Sequence, residues 1–80
     1  MVLSVLERRM KRRPTADEAA ETIRARIREL RKVHLSYRQY QRYRVKERDW
    51  HGAWDVAVNL SETEMEMAGL RFALRAMGER

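Results

Sequence analysis

The stretch AWDVAVNLSETEMEMAGLRFALRAM, residues 53–77, decides the fold of this chain. Apolar side chains recur in it at alternating intervals of three and four, the heptad spacing by which one helix packs on another. Polar Thr63 is the single interruption. The seam consists of Ala53, Val56, Leu60, Thr63, Met67, Leu70, Leu74 and Met77. It predicts one long helix whose apolar side is covered by a second helix.

A matching helix is predicted upstream, beginning at Ala16. Thr15 can cap the backbone N–H of Glu18, and Glu18 can bond back to the N–H of Thr15, which makes a capping box. Gly78 stands where a C-cap would end the downstream helix. The apolar stripe of the upstream helix consists of Ala16, Ala20, Ile23, Ile27, Leu30, Val33 with His34, and Tyr37.

The two stripes do not share a helical phase, because continuing the first beyond Tyr37 meets only polar residues. A break at 45–49, with Asp49 capping the second helix, would reset the phase. We therefore predict an all-α, antiparallel helical hairpin with helices at about 16–44 and 50–77. Because neither Gly nor Pro marks the turn, one long bent helix is the alternative.

The length of 80 residues limits the core, since so short a chain buries only about 60 % of its unfolded surface. Without cysteine there is no disulfide, and His34 and His51 are too few for a zinc site, so we expect no metal and no cofactor. A second apolar face, neighbouring the seam, would remain exposed to solvent in a monomeric hairpin. It consists of Trp54, Val58, Met65, Ala68 and Phe72. We therefore expect a homodimer that forms a four-helix bundle.

The net charge of +6 is unevenly distributed. Residues 1–15 carry five basic and one acidic side chain, residues 16–48 carry ten and five, and residues 49–80 carry three and six. No segment approaches the roughly 20 apolar residues of a membrane span. The opening Met1–Leu6 is too short for a secretory core, so we expect a cytoplasmic protein without membrane-surface binding.

The N-terminal segment, residues 1–14, is predicted to be a basic arm separate from the hairpin domain of 15–80. Leu3, Leu6 and Met10 share one face of a short amphipathic helix over Ser4–Arg12. Its candidate polyanion-binding residues are Arg8, Arg9, Lys11, Arg12 and Arg13. The alternative is a solvated terminus without a partner.

Arginines recur along the first helix at intervals that return to one face: Arg24, Arg28, Arg31, Arg38 and Arg42. Such a stripe can follow phosphates, and its binding would weaken steeply with salt. The alternative interpretation pairs these arginines with acids of the second helix or of a neighbouring subunit. Those acids are Asp55, Glu62, Glu64 and Glu66.

Tyrosines and basic residues alternate from Tyr37 to Lys46. Aromatic rings can stack on bases while guanidinium groups hold phosphates. The segment adds Tyr40, Tyr43, Arg44 and Lys46 to the candidate binding residues. The alternative is that Tyr37 and Tyr40 pack in the core or an interface.

Trp50, Trp54, Met65 and Phe72 are the candidate protein interface, because Trp dominates docking sites and Met adapts to partners. Two alternatives are favoured on spacing: the tryptophans close the hairpin end, and Met65 packs in the core. Gly52 leaves room for another group to approach the backbone of the first turn.

The sequence predicts a non-enzymatic binding or regulatory protein, since His51 and Asp55 lack a nucleophile and further metal ligands. Its basic helical surface is expected to dock on a polyanion, either nucleic acid or an acidic surface of a protein complex that handles nucleic acid. A compact basic chain of this kind suits a phage or mobile-element accessory factor. The alternatives are a protein adaptor or inhibitor that binds through the Trp/Met face, and a self-assembling structural bundle. No small-molecule substrate is expected.

Overall fold

The computed structural model describes residues 14–78, which form two α-helices joined by a tight turn. Helix α1 spans Ala16–Lys46 and helix α2 spans Trp50–Ala76. They pack side by side in opposite directions, and the described part of the chain contains no strand. The predicted all-α hairpin is confirmed, with helix ends within two residues of expectation, and the single bent helix is wrong. The predicted N-terminal helix lies outside the described residues.

Helix α1 begins where the capping residues predicted it. The backbone N–H of Glu18 donates to Thr15 Oγ1 at 3.1 Å, and the Thr15 hydroxyl donates to Glu18 Oε1 at 3.2 Å. Asp17 and Glu18 place negative charge in the first turn, where the helix dipole favours it. Local sequence therefore determines this helix end.

The core is a single layer between the two helices. Its buried members are Ala20, Ile27 and Leu30 of α1 and Ala53, Val56, Thr63, Met67 and Leu74 of α2. All of them belong to the two predicted stripes, whereas the end positions Ala16 and Met77 are exposed. Thr63 is tolerated because its hydroxyl donates to the carbonyl of Asn59 at 2.8 Å. No large side chain of the described range is completely enclosed, so the hairpin core is thin.

The turn between the helices uses a left-handed residue that is not glycine. Arg48 has a φ of +57°. The N–H of Arg48 donates to the carbonyl of Val45 at 3.0 Å, and the N–H of Asp49 donates to that of Arg44 at 2.9 Å. These two bonds define a Schellman motif, in which the left-handed position is usually glycine. The absence of a turn glycine therefore did not prevent a turn.

Helix α2 ends as predicted. Gly78 adopts a φ of +78°, and its N–H donates to the carbonyl of Arg75 at 3.0 Å. Glycine takes this left-handed conformation without steric cost. Neither helix of the described range is long and apolar enough to cross a bilayer.

Candidate functional site

The predicted arginine stripe forms one side of α1, here called the basic face: Arg24, Arg28, Arg31, Arg38 and Arg42. Arg24 is half-buried and the other four are exposed. Steps of three, four and seven residues return to nearly the same direction on a helix of 3.6 residues per turn. The side chains therefore project together along about 27 Å of helix.

The acids of α2 pair with residues outside the basic face. Arg26 lies 3.2 Å from Glu66, and His34 lies 3.0 Å from Glu64. Hydrogen bonding to Glu66 raises the pKa of Arg26. Within residues 14–78, Arg31, Arg38 and Arg42 make no ion pair with these acids. The alternative that acids of a neighbouring subunit pair with these arginines stays a prediction.

Sequence reasoning missed both cross-helix partners. Arg26 comes three residues after Ile23 and four before Leu30, which places it at the edge of the apolar stripe. A long side chain at that edge reaches across to the facing helix. The spacing could have identified Arg26 as a pairing residue.

Three members of the basic face keep their charge unpaired within residues 14–78. Arg28 lies 3.0 Å from Glu21, two helical turns earlier on α1. Arg31, Arg38 and Arg42 have no ion pair within residues 14–78. The segment from Leu30 to Lys46 contains six basic residues and no acidic one. The second half of α1 is therefore a concentrated positive surface.

The basic face borders a groove between the two helices, here called the arginine groove. Its volume is about 430 Å³. Ile27 and Leu74 form its apolar floor, and its charged lining residues are Arg24, Arg28, Arg31 and Arg71. The sequence pattern did not single out Arg71, because it lies on the second helix, where acidic residues outnumber the basic ones.

Arg44 is placed differently from the arginines of the basic face. Its Nη1 donates to Asp49 Oδ2 at 2.8 Å, its Nη2 donates to the Tyr40 hydroxyl, and its guanidinium lies 4.6 Å from the centre of the Tyr40 ring. The Tyr40 and Tyr43 rings stack at 6.3 Å. Arg44 and Tyr40 thus brace the turn, while Tyr43 and Lys46 remain exposed.

Asp49 links the turn to the start of α2. Its Oδ1 accepts from the N–H of Gly52 at 2.9 Å, as predicted for a helix cap. That hydrogen bond, together with the Arg44 charge, lowers the pKa of Asp49. A Cβ on Gly52 would lie 2.9 Å from Asp49 Cγ and 3.1 Å from Arg44 Cδ, and closer still to Asp49 Oδ2. The group that approaches Gly52 is therefore the cap carboxylate.

The candidate protein interface is solvent-exposed throughout. The exposed fractions are 64 % for Trp50, 69 % for Trp54, 72 % for Met65 and 67 % for Phe72. The predictions that the tryptophans close the hairpin end and that Met65 packs in the core are wrong, whereas Met67 is buried as predicted. Helical geometry places the four side chains about 145° from the buried seam, so this face is nearly opposite the seam instead of neighbouring it.

His51 and Asp55 are the remaining candidates within the described residues. His51 lies 3.7 Å from Asp55 on an exposed surface, and no group of three potential metal ligands occurs among residues 14–78. The basic-arm candidates Arg8, Arg9, Lys11, Arg12 and Arg13 lie outside the described residues.

Comparison with protein-family models, with curated protein sequences and with solved structures finds no match to this chain. The basic face, the arginine groove and the exposed apolar face are therefore the features of the chain that bear on its function.

Proposed function

We propose that this protein is a non-enzymatic regulator that binds nucleic acid through the basic face of α1. The observation that carries the proposal is the set Arg31, Arg38 and Arg42, exposed on one face and unpaired within residues 14–78. An array of unpaired guanidinium groups attracts phosphates and releases their counterions on binding.

The length and shape of the basic face suit a nucleic acid better than a single small anion. The face extends along about 27 Å of helix, which spans several phosphates of a backbone. Between Leu30 and Lys46 helix α1 itself contributes no acidic residue that would repel the strand. The basic arm, with Arg12 and Arg13 next to the hairpin, is proposed to add further phosphate contacts.

Salt-dependent binding to a labelled DNA duplex, measured by fluorescence anisotropy, tests the proposal. The double variant Arg38→Gln/Arg42→Gln should lower the slope of log affinity against log salt by about 2. The control Arg48→Gln/Arg75→Gln removes the same charge outside the basic face. Arg44 is left intact because its substitution would disturb the turn. Absence of binding by the natural protein, or equal slopes for both double variants, would refute nucleic-acid binding by this face.

We further propose that the chain is a homodimer that pairs through the exposed apolar face of α2. Large and small residues on this face are self-complementary about a two-fold axis at Ser61. In an antiparallel α2 pair with that register, Trp54 faces Ala68 and Met65 faces Ala57 of the partner subunit's helix. In the same register Trp50 faces Phe72 of the partner subunit's helix, so the large-to-small contacts are accompanied by aromatic pairs.

The direction of the apolar face determines the order of helices in such a dimer. In a square four-helix bundle, the directions from one helix to its two neighbours differ by about 90°. Because the apolar sides of α2 are about 145° apart, the proposed dimer has the two α2 helices in the middle and the α1 helices outside. Both basic faces then remain available for nucleic acid.

Light scattering after size exclusion tests the dimer. The natural chain should be a dimer, and Met65→Glu should be a monomer because the charge would be buried at the contact. Leu35→Glu, at an apolar position of α1 that is 56 % exposed, serves as the control and should stay dimeric. A monomeric natural chain would contradict self-association and favour the alternative of an adaptor face for another protein.

A further inference from the structure

The arginine groove is unusual in the sign of its lining charges. All four charged residues around it are arginines, three from α1 and Arg71 from α2. The groove on the other side of the hairpin has a volume of about 280 Å³ and combines Arg26 with Glu62 and Glu66. Arg28 is already paired with Glu21 at 3.0 Å, so the charge open to a ligand comes chiefly from Arg31 and Arg71. Like charges around one groove repel each other, and a bound anion removes that repulsion. The arginine groove is therefore the side of the hairpin that is matched to a negative ligand.

We propose that the arginine groove seats one phosphate-sugar unit of a nucleic-acid strand, with Arg71 as a phosphate-binding residue. The inference rests on the proposed function and extends it to the second helix. Guanidinium groups present paired N–H donors that match the oxygens of a phosphate. Arg71 and Arg31 approach the groove from different helices, so a phosphate between them is held from two sides.

The apolar floor distinguishes this site from a simple charged surface. Ile27 is buried and Leu74 is buried, and both contribute to the groove. Ile27 and Leu74 keep only 6 % and 7 % of their surface exposed, so the apolar surface open to a ligand belongs mainly to the methylene stems of the surrounding arginines. A sugar presents carbon-bound hydrogens beside each phosphate, which can cover these stems, whereas a bare inorganic anion would not.

Arg71 is available for this role. It is exposed and has no ion pair within residues 14–78. Arg75, one turn later on α2, is also exposed and does not line the groove. The two residues therefore form a matched pair, equal in charge and different in position.

The test compares Arg71→Gln with Arg75→Gln in the full-length chain, using anisotropy of a labelled DNA duplex across a salt series. Arg71→Gln should reduce the salt slope by about 0.9, so its affinity falls about 3.5-fold less than that of the natural chain between 50 and 200 mM salt. Arg75→Gln should leave the slope unchanged. Circular dichroism should show that both variants stay helical, since both positions are exposed.

The outcomes separate the two proposals. If the natural chain binds DNA but Arg71→Gln and Arg75→Gln have the same slope of log affinity against log salt, the groove proposal is overturned while the proposed function stands. If the natural chain does not bind DNA, the proposed function fails first. Polyglutamate with the same total charge as the DNA should not displace the labelled DNA when it is added at the concentration at which DNA binds. Displacement that is lost in Arg71→Gln would instead assign the groove to an acidic protein.

Discussion

Replacing Gly52 with alanine tests whether the cap at the hairpin turn depends on an empty Cβ position. In most helices this substitution stabilises, because alanine has the higher helix propensity. Here the added Cβ would lie 2.9 Å from Asp49 Cγ, inside van der Waals contact, and 3.1 Å from Arg44 Cδ. The Asp49 carboxylate would have to leave the N–H of Gly52, and its ion pair with Arg44 would be disturbed.

The magnitude follows from two opposing effects. The propensity gain of Gly→Ala is at most about 1 kcal/mol, and is smaller in a first turn than in a helix interior. Losing an N-cap side chain costs about 0.5–2 kcal/mol in helices generally. With a first-turn gain of about 0.5 kcal/mol, Gly52→Ala should range from neutral to about 1.5 kcal/mol destabilising. Gly69→Ala, whose Cβ would meet no atom within 4 Å, should instead stabilise by about 1 kcal/mol.

Urea unfolding followed by circular dichroism at a fixed protein concentration measures both variants. A double-mutant cycle with Asp49→Ala identifies the cause, since Gly52→Ala should become stabilising once the carboxylate is absent. If Gly52→Ala stabilises the natural chain as much as Gly69→Ala does, the argument that this glycine exists for the cap is refuted.

Two other predictions concern the same turn. Arg48→Gly should raise the free energy of unfolding by about 1 kcal/mol, because glycine adopts a φ of +57° without the Cβ strain of arginine; an unchanged or lower urea midpoint would contradict this. Since the folded-state pKa of Asp49 is lowered from 3.8, its contribution to stability is present above that pH and is lost as the pH falls through the folded-state pKa. Thermal unfolding between pH 6 and about pH 2 should therefore show a decline that Asp49→Ala reduces, and parallel curves for the two proteins would exclude this linkage.

The sequence by itself determined the secondary structure and the core. Thr15 and Glu18 act within one turn, and both apolar stripes follow helical periodicity, so local spacing was sufficient to predict them. The break at 45–49 followed from the change of phase between the stripes. The type of turn did not follow, because Arg48 adopts a conformation that arginine rarely takes and that the surrounding hydrogen bonds hold.

Only the tertiary structure distinguished residues of one type from each other. Arg44 and Arg42 are two positions apart, yet Arg44 is engaged by Asp49 across the turn while Arg42 is unpaired within residues 14–78. Arg71 joins the arginines of α1 because antiparallel packing places it beside residues distant in sequence. Charge and apolar character are properties of a sequence, but pairing and exposure depend on which groups the fold brings within a few ångströms.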